Sequence, residues 1–167
     1  LLPRDLDWHW EHIGGGGDKA ALAARSGALK IAHRINWRGA LAQPDVIEAM
    51  RRSDLFVLPS RIAEDGDRDG LPNVLMEAQS QGLACVSTAL SAIPELIVDG
   101  ETGVLVPPDD EESLSAALAE LLADPDLRAR LGAGGHRRVR EHFSHYRDLD
   151  RLARKFGLRA PVVRECA

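Results

Sequence analysis

Two apolar runs, Asp54-Leu55-Phe56-Val57-Leu58-Pro59-Ser60 and Leu83-Ala84-Cys85-Val86-Ser87, bracket one short helical stretch whose start and stop are both marked. That stretch runs Asp69-Gly70-Leu71-Pro72-Asn73-Val74-Leu75-Met76-Glu77-Ala78-Gln79-Ser80-Gln81-Gly82. Pro72 suits the first helical position, where a missing N–H costs nothing. Gly82 suits the residue past the helix end that turns left-handed. Leu71, Val74, Leu75 and Ala78 recur at helical spacing, so one face is expected to be buried. An apolar strand on either side of such a helix predicts a βαβ unit, and with it an α/β fold built on a parallel sheet. Ligands of such sheets bind beyond the carboxyl ends of the strands, the edge from which the loop Ser60–Gly70 departs.

With Pro72 first in the helix, the capping position falls on Leu71, which has no side-chain oxygen. The N–H groups of Asn73, Val74 and Leu75 are then expected to be orphan donors at the positive end of the helix dipole. An anion suits such an end, and phosphate is the usual one. Capping by water or by Asp69 is the plainer alternative.

A chain of 167 residues, 44% of them hydrophobic, is long enough for one domain with its own core. Only 4% are aromatic, so Leu, Val, Ile and Ala must fill that core. A net charge of -5 argues against a general nucleic-acid binder, and no apolar run reaches the ~18 residues of a membrane span. Leu1-Leu2-Pro3-Arg4-Asp5 is neither a start methionine nor a signal peptide, which predicts a piece of a longer protein. Cys85 and Cys166 make no disulfide framework, and a reducing, cytoplasmic setting is the default.

Along the chain, residues 1–7 read as a frayed remnant, 8–157 as the domain, and 158–167 as a tail. Trp8–Ile13 is expected as a strand, followed by Gly14–Gly17 and a helix from Asp18 to about Ser26, stopped by Gly27. The glycine run resembles a dinucleotide loop only weakly, and a tight turn is the favoured reading. Leu29–Trp37 supplies the next strand, with Arg38-Gly39-Ala40 leaving it, and a helix spans Pro44 to Arg52. Asp65-x-Asp67-x-Asp69-Gly70 imitates the opening of an EF-hand. Met76 stands where that loop needs its twelfth ligand, and Pro72 starts a helix too early. Ile93–Val98 reads as a short helix, Asp99–Gly103 as a turn and Val104–Val106 as a strand. Leu114, Leu118, Leu121 and Leu122 mark an amphipathic helix that Asp124-Pro125 ends. Leu127–Leu131, a break at Gly132–Gly135, then Arg137–Phe143 and Tyr146–Phe156 complete a helical C-terminus. The six histidines show no metal-ligand spacing, and no metal is expected.

Several of these segments, in this order, resemble a known family. Pro59-Ser60, Asp69 through Ala78, Ile93-Pro94-Glu95-Leu96-Ile97, and Asp99-Gly100-Glu101-Thr102-Gly103-Val104-Leu105-Val106-Pro107-Pro108 are similar to the C-terminal, nucleotide-sugar half of a GT-B retaining glycosyltransferase. The group is family 4, glycosyl transferases group 1, in its exopolysaccharide-type branch. The similarity covers Trp8 to Phe156. It implies half of a GT-B fold: a Rossmann-like parallel sheet with helices on both faces and a helical tail.

The same resemblance implies the roles. Glu77 would accept hydrogen bonds from the ribose hydroxyls; read alone, it is a solvated surface carboxylate. Gly70, Leu71, Pro72, Asn73 and Val74 would hold the donor sugar and diphosphate, the last two through backbone N–H groups. Arg38, Gly39 and Ala40 would line the base, largely by backbone. Asp69 would be the catalytic carboxylate on the donor sugar, where the family usually has the longer glutamate. No cofactor is implied, because the nucleotide-sugar is a substrate. The implied partners are that donor and an N-terminal acceptor domain of the same chain, with the whole protein peripheral at a membrane. Open alternatives are a GT-B relative with another reaction (a sugar-nucleotide epimerase or a glycosyl phosphorylase) and a non-catalytic nucleotide-binding module.

Overall fold

The computed structural model describes residues 1–143, 149 and 152–158. In chain order they form β1 (Trp10–Ile13), α1 (Lys19–Ala28), a 3-10 turn (Ala32–Arg34), β2 (Ile35–Gly39), α2 (Gln43–Arg51) and β3 (Leu55–Leu58). Then come α3 (Asn73–Ser80), β4 (Ala84–Thr88), α4 (Ile93–Leu96), β5 (Val104–Val106), α5 (Glu111–Ala123) and α6 (Pro125–His142). Every strand pairing is parallel, as the apolar runs predict. The strands fall into two ladders, β1-β2 and β3-β4-β5, with no hydrogen-bonded pairing between them.

β4 is the centre of the larger ladder, and all five of its residues are buried. Side chains alternate across a strand, so Ala84 and Val86 join Val106, Ala117, Leu121 and Leu131 on one face. Cys85 points the other way, into a cluster with Met50, Leu75, Ala78, Leu83, Ile93, Leu96 and Ile97. Helices thus cover both faces. Burial pushes the Cys85 thiol up to about 12. Thiol reagents act on the thiolate, so at neutral pH Cys85 should stay unlabelled by iodoacetamide until the protein is denatured, as mass spectrometry would read.

α3 ends as its glycine predicts. Gly82 takes φ 75°, Leu83 N–H donates to the Ala78 carbonyl, and Gly82 N–H donates to Gln79. That pair of bonds is a Schellman closure. Its start is shifted by one residue. Pro72 has φ -63° and ψ 122°, an extended conformation that makes it the cap, and Asn73 is the first helical residue.

Other boundaries also move. β1 begins at Trp10, α1 runs through Gly27 to Ala28, and α2 starts at Gln43 and ends at Arg51. The expected strand Leu29–Trp37 opens instead with Lys30 at φ 59° and a 3-10 turn, so β2 extends to Gly39. The short helix at Ile93 stops at Leu96. The Arg34 guanidinium donates to the Leu6 carbonyl at 3.0 Å and lies 5.2 Å over the Trp8 ring.

The largest correction concerns Gly132–Gly135. No break occurs there; α6 is one continuous helix of 18 residues. A Cβ on Gly132 would overlap the Gly82 carbonyl oxygen, and one on Gly134 would overlap that of Glu101. These glycines let α6 lie directly on the backbone beneath it. The expected helix Tyr146–Phe156 falls largely outside the described residues. Among the described residues no helix is long and apolar enough to cross a membrane.

Candidate functional site

Parallel pairing puts the carboxyl ends of β3, β4 and β5 on one edge, with Leu58 opposite Ser87 and Thr88 opposite Val106. Two hydroxyls fasten the chain that leaves there. Ser87 Oγ donates to the Leu58 carbonyl at 2.7 Å, and Thr88 Oγ1 donates to the Ser60 carbonyl at 2.6 Å. The loop from Arg61 to Gly70 is exposed throughout. It contains a tight turn in which Asp67 N–H donates to Asp65 Oδ1 at 3.0 Å and Ala63 N–H donates to the Asp67 carbonyl at 2.8 Å. The chain is caught again at Gly70, whose carbonyl accepts from Ala92 N–H at 3.0 Å. Ser87, Thr88 and Ala92 carry no sequence signal for this task, since each acts on a carbonyl distant in the chain.

Past Gly70, Leu71 and Pro72 are half-buried and Asn73 is exposed. α3 has no side-chain cap. Of the three N–H groups expected to be free, Leu75 closes a tight turn onto the Pro72 carbonyl at 3.1 Å. Those of Asn73 and Val74 have no acceptor among the described residues. The result is a pair of adjacent donors at the positive end of a helix, at the rim of a parallel sheet. Glu77 lies one turn further on, at the i+4 position from Asn73 and therefore on the same side of the helix. It is half-buried rather than freely solvated, and its Oε1 accepts from Gln43 Nε2 at 2.8 Å. Asp69 is exposed at the end of the loop.

The other ladder has its own irregularity at the matching edge. His12 pairs with Trp37 but Ile13 pairs with Gly39, so Arg38 is the extra residue of a bulge. Gly39 takes φ 70°, and its carbonyl accepts from Gly14 N–H at 2.9 Å. The Arg38 guanidinium is engaged by Glu11 at 2.7 Å, with both side chains about a third exposed (36% and 35%). That pairing leaves backbone rather than side chain as what Arg38, Gly39 and the exposed Ala40 present. The structure thus brings the β2 exit, through Gln43, into contact with Glu77.

A pocket of about 200 Å³ lies elsewhere, against Glu101, Thr102, Arg137 and Arg138, and shares no residue with this site. Among the described residues no cluster of His, Cys, Asp and Glu could hold a metal ion.

A parallel α/β sheet with an uncapped helix tip at its carboxyl edge is the general layout in which folds of this class place an anionic ligand. Residues 1–124 match the family model of the glycosyl transferases group 1, and the chain belongs to that family. It is 50% identical over 68 residues to the putative colanic acid biosynthesis glycosyltransferase WcaL of Salmonella typhimurium, a match covering 41% of this chain and 17% of WcaL. It is 33% identical over 160 residues to the lipopolysaccharide core biosynthesis mannosyltransferase LpcC of Rhizobium leguminosarum, covering 91% of this chain and 42% of LpcC. The fold matches Anabaena Alr3699/HepE, solved in complex with UDP-glucose, at a TM-score of 0.79. That match is 19% identical and covers 93% of this chain and 42% of HepE. The architecture is therefore half of a GT-B fold, and the chain spans less than half the length of these relatives.

Proposed function

We propose that this chain is the donor-binding domain of a retaining, metal-independent glycosyltransferase that moves a sugar from a nucleotide-sugar to an acceptor of a surface polysaccharide or glycolipid. The observation that carries the reading is the pair of unpartnered N–H groups on Asn73 and Val74. In transfer, the bond between the anomeric carbon and the diphosphate oxygen breaks and its electrons leave with the diphosphate. An acceptor hydroxyl forms the new bond and passes its proton to the departing diphosphate oxygen. Donors already aimed at the departing oxygens stabilise that charge without reorganising. Glu77 takes the ribose hydroxyls, the bulged β2 exit takes the base, and Asp69 takes hydroxyls of the donor sugar. The UDP-glucose bound by HepE and the products named for WcaL and LpcC support this assignment.

The acceptor would be held by a further domain N-terminal to this one, so the 167 residues alone bind nucleotide without transferring sugar. Work in the cytoplasm, with the whole protein peripheral at a membrane, belongs to the same reading, supported by the lipopolysaccharide in the name of the Rhizobium relative.

Asn73→Pro tests the central claim cleanly. Proline is at home at the first helical position, and the extended Pro72 before it already has the conformation that proline demands. The substitution deletes one backbone N–H together with the exposed Asn73 carboxamide, and Asn73→Ala, which deletes the carboxamide alone, is the control. Calorimetric titration with UDP, GDP and ADP should show affinity for the best of them falling about tenfold or more, the worth of a hydrogen bond to a charged group. Melting temperature should stay unchanged. Unaltered diphosphate affinity in a folded Asn73→Pro protein overturns the reading, as does absence of binding by the wild type at millimolar nucleotide.

A further inference from the structure

Gln43 is the first residue of α2, three positions after Ala40, and nothing about it in the sequence suggests a role. Its Nε2 donates to Glu77 Oε1 at 2.8 Å across 34 residues of chain. The last residue of α2 makes a second such contact, Arg51 Nε donating to Gln81 Oε1 at 2.8 Å just past the end of α3. α2 is therefore tied to α3 at both its ends, and the Gln43 amide is carried on a helix whose position along α3 is set. A carboxylate on an exposed helix ordinarily turns among several rotamers, and holding it in one costs entropy. With Oε1 engaged by an amide donor, that cost is met before any ligand arrives. Oε2 and the remaining lone pair of Oε1 stay open as acceptors, enough for two neighbouring hydroxyls.

We infer that Gln43 is a positioning residue, orienting Glu77 toward a vicinal diol and thereby joining the β2 exit to pentose recognition. The inference rests on the donor-site reading above and adds to it how discrimination between ribose and deoxyribose is built. Donor strength reaches Glu77 from α2, so a change at position 43 alters recognition of hydroxyls that Gln43 itself need not touch.

The test uses the complete natural protein, with UDP and GDP each titrated beside its 2′,3′-dideoxy form. Gln43→Met keeps the length of the side chain and removes the donor; Gln43→Lys restores a donor. Gln43→Met should weaken binding of the preferred ribonucleotide about three- to tenfold and leave its dideoxy form unchanged, and Gln43→Lys should recover most of the loss. Equal weakening of both forms would mean a merely structural contact and would overturn the inference, as would no change in either. Glu77→Gln separates the two levels of the argument. If it abolishes the preference for ribose while Gln43→Met does not reduce it, Glu77 stands and Gln43 falls. If the wild type shows no preference for ribose at all, the donor-site reading of Glu77 fails and the inference goes with it.

Discussion

Gly132→Ala should lower the melting temperature by about 10 °C, as followed by circular dichroism. The added methyl would overlap the Gly82 carbonyl oxygen and crowd the Ala84 nitrogen, all backbone that cannot rotate away. Either α6 lifts off the larger ladder or the Schellman turn after α3 is displaced. Overpacking of this kind costs about 3 kcal/mol, and a domain of this size loses about 2–4 °C per kcal/mol. The effect should be specific to place. Gly27 lies inside α1, and a methyl group added there would meet nothing within 4 Å. Gly27→Ala should therefore be neutral or stabilising by up to about 1 kcal/mol. Were Gly132→Ala as stable as wild type, the close seating of α6 would be refuted.

The largest effect on chemistry is expected at Asp69. In the complete protein, Asp69→Asn should reduce kcat about a hundredfold or more, the scale on which a group facing developing charge contributes. Its side chain is exposed in a loop, so the fold should be indifferent to the change. Asp69→Glu should retain activity, because it installs the residue usual among the proteins this motif resembles. Initial rates of sugar transfer, measured beside melting curves, check both variants. A fully active Asp69→Asn enzyme would remove Asp69 from the chemistry and leave the diphosphate tip untouched.

What could be read in advance follows the reach of each signal. α3 was legible because its punctuation is local: Pro72 and Gly82 act on their own backbone. The one-residue shift at its start arose because proline fits the cap and the first turn almost equally well, and only ψ of 122° separates them. β4 was legible, one residue early, from the apolar run Leu83-Ala84-Cys85-Val86, since a strand covered on both faces needs no alternation. The Gly132–Gly135 stretch misled because glycine weakens a helix intrinsically, whereas here it answers to carbonyls of Gly82 and Glu101 remote in the chain. The partner of Glu77 was illegible for a related reason. A hydrogen bond between residues 43 and 77 leaves no periodicity, and a lone glutamine at a helix start has no pattern to betray it. The start of α3 lay in between: the missing cap was readable, but the loss of the Leu75 donor to Pro72 needed coordinates.

The absence of a shared rung between the two ladders bears on how the chain opens. β1 packs chiefly on β2, and of α1 only Ser26 is buried. Neither apolar cluster of the body around β4 takes a residue from β1, α1 or β2. Low local stability of this sort lets one segment detach while the remainder stays folded. β1, α1 and β2 would then open ahead of the rest, while α2 stays with the body through the bonds of Gln43 and Arg51 to α3.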